Sequence, residues 1–82
     1  MDLVDLTEEL VKALAVNKDE VSVKEFTTDE EDTVLIQVMV NPDDIGRVIG
    51  KNGRNANAVR TLVQASSYLK DNKKVKINID SF

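Results

Sequence analysis

Between positions 2 and 16 the apolar residues Leu3, Leu6, Leu10 and Leu14, with Val11 and Ala13 beside them, recur at helical spacing. Asp5, Glu8, Glu9 and Lys12 lie opposite, which predicts an amphipathic packing helix. Asn17-Lys18-Asp19 breaks it. Val21, Val23 and Phe26 then mark a short strand whose alternation slips near Glu25, as a bulge would cause. The acidic, turn-forming stretch Thr27 to Asp32 reads as a hairpin tip. From Thr33 to Val40 the β-branched residues Val34, Ile36, Val38 and Val40 alternate with Leu35, Gln37 and Met39, the pattern of a central strand. Asn41-Pro42-Asp43-Asp44 reads as a helix start, with Asn41 as cap, Pro42 at the first helical position and two aspartates at the positive end. Gly50 ends that helix after about two turns. A further helical pattern follows Gly53, with Ala56, Val59, Leu62, Val63, Ser66 and Leu69 on one stripe. Asp71-Asn72 turns the chain into a last strand, where Val75, Ile77 and Ile79 alternate with Lys74, Lys76 and Asn78. The predicted order is α-β-β-α-α-β, an α+β fold in which the helix pair crosses over to make the last strand parallel to one of the others.

At 82 residues the chain is expected to be one domain spanning 1–82, burying about 60% of its unfolded surface. With no cysteine and no histidine, disulfides, thiol or imidazole catalysis and the usual Cys/His zinc sites are excluded. Only Phe26, Tyr68 and Phe82 are aromatic, which argues against base-stacking platforms. Neither a signal peptide nor a membrane-length apolar run is present, so a cytoplasmic location without membrane insertion is expected.

The net charge of −4 opposes a nucleic-acid partner, but it is unevenly spread. Residues 1–44 hold 13 carboxylates against 3 cations, net −10, and residues 45–82 hold 2 against 8, net +6. Between Ile45 and Leu69 stand Arg47, Lys51, Arg54 and Arg60 with no carboxylate, so the local field attracts phosphate.

The chemistry concentrates in Ile45-Gly46-Arg47-Val48-Ile49-Gly50-Lys51-Asn52-Gly53-Arg54. Glycines at 50 and 53 leave the backbone bare on both sides of Lys51-Asn52, so a polymer backbone can approach closely. The amides and positive dipole at the start of the following helix attract phosphate, and Lys51, Arg54 and Arg47 add full charges. Ile45, Val48 and Ile49 offer an apolar floor for unstacked bases, which suits single strands rather than duplexes. A side chain at either glycine should block binding, with Gly53→Val the costlier change because that turn position calls for positive φ.

Val48-Ile49-Gly50-Lys51-Asn52-Gly53-Arg54 resembles the GxxG signature of KH domains. From Asn41-Pro42-Asp43-Asp44-Ile45-Gly46-Arg47 through Gly53-Arg54-Asn55-Ala56 to Arg60-Thr61-Leu62, the chain is similar to the KhpA family of small bacterial single-KH proteins. The likeness covers essentially the whole chain. It implies a type II KH domain with a three-stranded mixed sheet and helices on one face. It further implies an RNA-contacting loop at Gly50, Lys51, Asn52 and Gly53, and a groove of Ile45, Val48 and Ile49 beside Arg54. The resemblance also implies an RNA chaperone that works with a second KH-containing protein, KhpB, in cell elongation and peptidoglycan homeostasis.

Other chemistries fit poorly. The acidic tip lacks the alternating ligands and central glycine of a calcium loop, and no other metal site is expected. A Walker-type phosphate loop fails because only three residues separate Gly46 from Gly50 and Asn52 stands where Ser or Thr should be; a dinucleotide fingerprint fails for want of a glycine two positions before Gly50. No nucleophile and base pair can be assembled, so neither catalytic residues nor a cofactor is expected. The competing reading is a protein-interaction or assembly subunit in which the glycine turn only links helices. One KH unit grips about four nucleotides, so a second module is expected through a KhpB-like partner or a homodimer.

Overall fold

The computed structural model describes residues 1–82. Helix α1 spans Leu3–Leu14, strand β1 Ser22–Thr27, strand β2 Thr33–Val40, helix α2 Ile45–Ile49, helix α3 Arg54–Lys70 and strand β3 Lys74–Ser81. Single 3₁₀ turns occupy Lys18–Glu20 and Lys51–Gly53. The sheet order is β1-β2-β3: β2 lies between an antiparallel β1 and a parallel β3, giving the expected mixed sheet. Val23 of β1, Val34, Ile36, Val38 and Val40 of β2, and Val75, Ile77 and Ile79 of β3 turn to the helices, and the opposite sheet face is open.

Side-chain chemistry sets the limits of α1. The Asp2 carboxylate accepts from the Asp5 amide at 2.7 Å, satisfying one of the free N–H groups of the first turn. At the other end the Lys18 ammonium donates to the carbonyls of Lys12 (2.6 Å) and Ala15 (2.9 Å), where the negative end of the helix favours a cation. Along α1 the buried line is Leu3, Thr7 and Val11, continued by Ala15. Leu6, Leu10 and Leu14 flank it half-buried, and Ala13 is exposed, so the leucine stripe is the shoulder of the interface rather than its centre. Thr7 is tolerated in the core because its hydroxyl donates to the Leu3 carbonyl at 2.7 Å.

No bulge interrupts β1. Six consecutive pairs run from Ser22 opposite Met39 to Thr27 opposite Val34, and Phe26 sits out of phase with Val21 and Val23 because it points to the open face, across from Leu35. Two further departures concern the helices. The segment Asn41 to Asp44 is a hydrogen-bonded turn, with the Asp44 amide donating to the Asn41 carbonyl and the Asn41 side chain accepting from the Asp43 amide. Helix α2 therefore starts only at Ile45 and has five residues. On α3 the buried residues are Ala56, Val59, Val63 and Ser67, whereas Leu62 is 52% and Leu69 88% exposed. The core-facing stripe thus passes beside those two leucines.

Asp44 has a role the pattern did not disclose. It is buried, 1% exposed, and its carboxylate accepts from the Asn17 amide (2.8 Å), the Val16 amide (3.2 Å) and the Asn17 side-chain amide (3.2 Å). The exit of α1 is thereby tied to the start of α2. The Asn17 amide above all, then the Val16 amide, the Asn17 side chain and Arg47, hold the carboxyl below its ordinary value of 3.8, against the opposing effect of burial. A depressed folded-state value stabilises the fold above the unfolded value, and that contribution is lost as pH falls below about 4 through the folded one. Asp44→Asn must turn an amide donor toward donors. It is expected to lower the melting temperature at pH 7 by on the order of 5–10 °C. The gap from the parent should close in melts taken at progressively lower pH between 5 and 2; a gap that stays constant would show that the carboxylate's charge is not what holds the turn.

Candidate nucleic-acid interface

Every residue of the turn between α2 and α3 has a special backbone or an exposed side chain. Gly50 ends α2 with φ 76° and ψ 171°, and its amide donates to the Gly46 carbonyl at 2.9 Å. Asn52 (φ 57°) and Gly53 (φ 75°) are both left-handed, and the Gly53 amide returns to the Gly50 carbonyl at 3.1 Å. The two left-handed residues swing the chain directly into α3, so no side chain caps its first turn. Seventeen residues of aligned peptide dipoles end at that uncapped turn. Lys51, Asn52 and Arg54 are exposed there, and Arg47 is exposed on α2.

The glycines do different work. A Cβ on Gly50 would lie 2.8 Å from Asn55 Cγ, 2.9 Å from its Nδ2 and 3.0 Å from its Cβ, whereas a Cβ on Gly53 would meet only Asn57 Nδ2 at 3.8 Å. Asn55 in turn donates to the Arg47 carbonyl at 2.9 Å, strapping the start of α3 to α2 across the loop. Gly50 is therefore the tighter position and the costlier one to substitute, the reverse of the order expected from the sequence. Asn55 carried no signal beyond being a polar residue just after the second glycine.

Lys51, Asn52, Arg54, Asn55 and Asn57 line an open depression of about 790 Å³ with no hydrophobic residue in its wall. The apolar floor is only partly realised beside it. Val48 has no exposed surface and belongs to the core, so it supports α2 from below and cannot touch a base. Ile45 is half-buried and packs on the core, and Ile49, 37% exposed, is the most accessible of the three. Farther along α3, Arg60, Thr61, Gln64, Ala65, Tyr68 and Val75 line a second open depression of about 450 Å³ against β3. There Gln64 holds the outer edge of β3, accepting from the Val75 amide and donating to the Lys73 carbonyl, both at 2.9 Å.

On the flank of α3 that meets α1, Leu10, Ala13, Leu14, Ala58 and the exposed Leu62 surround a shallow apolar depression of about 190 Å³. No group of histidine, cysteine or carboxylate side chains is placed to hold a metal ion, and no helix is long and apolar enough to cross a membrane.

Comparison with known proteins agrees with this architecture. The chain is 40% identical over 75 residues to the RNA-binding protein KhpA of Clostridium perfringens, covering 92% of this chain and 96% of that one. It is 42% identical over 74 residues to the KhpA of Clostridium acetobutylicum (90% and 95% covered). With that of Mycobacterium tuberculosis it shares 48% over 61 residues (74% of each). Among solved structures, Aquifex aeolicus Era superposes with a TM-score of 0.72 at 14% identity, over 98% of this chain and 30% of that one. Era in complex with MgGDPNP and nucleotides 1506–1542 of 16S ribosomal RNA gives 0.69 at 15% identity, over 96% and 29%. At those identities the likeness is one of fold. The model of the KhpA/KhpB KH domain, a family of binding proteins and not of enzymes, matches residues 4–79, and this chain belongs to that family.

Proposed function

We propose that this chain binds single-stranded RNA through the Gly50-Lys51-Asn52-Gly53 turn. The observation that carries the reading is the coincidence, at one point, of two glycines with positive φ, the uncapped start of a seventeen-residue helix, and exposed Lys51, Asn52 and Arg54. Phosphate placed against the turn meets backbone amides, a positive dipole and full cations together. Kinship with proteins named for RNA binding supports it. Ile49 and the exposed part of Ile45 offer apolar surface to an adjoining base, and Arg47 a further cation. Work as an RNA chaperone in the cytoplasm, with a KhpB-like partner and in cell elongation and peptidoglycan homeostasis, is the finer form of the same proposal.

A single unit of this size holds about four nucleotides, which favours a second module. The exposed Leu62 and Leu69, with Ala58, Ala13 and Leu10 beside Leu62, give α1 and α3 an apolar flank suited to a second copy or to the KH unit of a partner. This flank adjoins the loop at Asn55, which lines both depressions, so assembly there would lie next to bound RNA.

The test is a salt titration with single-stranded RNA and with duplex RNA of the same composition, run at several protein concentrations. Two or three neutralised phosphates on a single strand predict a slope of log affinity against log salt of roughly −1.5 to −2. Duplex should bind more weakly, and apparent affinity should improve as protein concentration rises through self-association. Equal, weak binding to both forms at every salt concentration would reduce the chain to an assembly subunit.

A further inference from the structure

The face of the sheet turned away from the helices is the largest feature that the loop does not use. It is built in rows across the three strands: Ser22, Met39 and Asp80; Lys24, Gln37 and Asn78; Phe26, Leu35 and Lys76; with Lys74 beyond. We propose that this face is a second contact surface for single-stranded nucleic acid, with Phe26 as a base-stacking platform and Lys24, Lys74 and Lys76 as phosphate partners.

Three observations carry this. Phe26 is 48% exposed in a chain with only three aromatic residues, and Leu35 extends its apolar surface on the neighbouring strand. Around it the rows carry Lys24, Lys74 and Lys76 against Asp80, with the carboxylates of Glu30 and Asp32 beside Lys74, where both accept from Thr33 Oγ1, so Lys24 and Lys76 are the cations nearest the ring that stand clear of the acidic tip. None of those ammonium groups is paired, since the sole ion pair of the molecule joins Lys12 to Glu8. In the middle row the Asn78 side chain donates to Gln37 Oε1 at 2.8 Å and the Asn78 backbone oxygen accepts from Gln37 Nε2 at 3.4 Å, leaving Asn78 Oδ1 for the edge of a base. Lys24 stands about 7 Å from Phe26 along its strand and Lys76 about 10 Å across two strand spacings, so a base on the ring has cations to either side. Lysines on β1 and β3 also protect the two edge strands, but that does not account for leaving phenylalanine and leucine side by side on the open face. Asp29, Glu30, Glu31 and Asp32 at the hairpin tip repel phosphate and bound the patch at one end, as Asp80 does at the other.

The test uses the full chain, oligouridylates of four and twelve nucleotides, and backbone amide shifts by NMR. The twelve-mer should move the amides of Lys24, Phe26, Leu35 and Lys76. Phe26→Ala should weaken its binding about fivefold or more while the tetranucleotide, held by the loop, binds as before. Lys24→Gln with Lys76→Gln should do the same with Phe26 in place, and circular dichroism checks that each variant is folded. In a chain already carrying Lys51→Asp and Asn52→Asp, residual binding of the twelve-mer should disappear with Phe26→Ala, so failure of the loop and failure of this face give different results. Unshifted amides on this face at saturation, or a folded Phe26→Ala chain that binds the twelve-mer like the parent, would overturn the proposal. Loss of a protein partner with RNA binding intact would assign the face to protein docking instead.

Discussion

Alanine at position 50 is expected to damage the protein more than any change at position 53. Gly50 combines φ 76° with ψ 171°, a region that is essentially closed to residues with a Cβ and costs about 1–3 kcal/mol to enforce. The new methyl would also collide with Asn55 at 2.8 Å, and Asn55 cannot swing aside without giving up the Arg47 carbonyl. Together these predict a loss of roughly 2–4 kcal/mol for Gly50→Ala, with RNA affinity falling at least tenfold because the strap that fixes the loop is gone. Gly53 is left-handed (φ 75°, ψ 13°) and a Cβ there would meet only Asn57 Nδ2, at an ordinary contact distance of 3.8 Å, so Gly53→Ala should cost about 1 kcal/mol and Gly53→Asn less. Urea denaturation and RNA titration of the three variants check the order. In an Asn55→Ala background the cost of Gly50→Ala should shrink by the share owed to the collision, leaving the backbone strain. A Gly50→Ala chain as stable and as avid as the parent would show that neither the strain nor the close approach matters.

That reversal between the glycines shows where sequence stops being informative. Periodicity found every strand and helix, because β-branched alternation at Val34, Ile36, Val38 and Val40 and helical spacing in α1 and α3 are local signals tied to one buried face. The turn itself was legible because positive φ selects glycine, and its neighbours in sequence are its neighbours in space. What stayed hidden was tertiary. Asp44 reads as a helix-start carboxylate, and only the fold brings Val16 and Asn17, 28 and 27 residues away, onto it. Whether Gly50 or Gly53 is crowded depends on the rotamer of Asn55, and whether Val48 faces a ligand or the core depends on how α2 is rolled against the sheet. Leu62 and Leu69 are exposed for a related reason: an apolar stripe wider than its partner leaves one margin in water. Phe26 breaks the alternation because β1 carries apolar residues on both faces, Val23 toward the helices and Phe26 toward the open side.

Replacing both Lys51 and Asn52 by aspartate is expected to reduce single-stranded RNA binding by about a hundredfold without lowering stability. The stability half follows from position. Both side chains are exposed, and Asn52 is left-handed at φ 57°, a conformation that aspartate tolerates nearly as well as asparagine. Both aspartates would stand at the uncapped positive end of α3, where a carboxylate is favourable by about 0.3–1 kcal/mol, so the melting temperature should hold or rise slightly. Binding responds in the opposite sense. The substitutions shift the local charge by three units, cancelling what Arg47, Lys51 and Arg54 supply in the parent, and they fill with carboxylates the very amide-rich end that would otherwise receive phosphate. At about 1 kcal/mol for each unit of charge, the loss comes to slightly more than a hundredfold, and the salt slope should flatten toward zero. Lys51→Arg should keep most of the affinity, since the guanidinium retains the charge. Thermal melting and RNA titration of the same preparations separate the outcomes: a folded double variant that binds RNA as the parent does would move the site off this loop, while one that melts early would mean that Lys51 or Asn52 serves the fold and that the exposed turn had been misread.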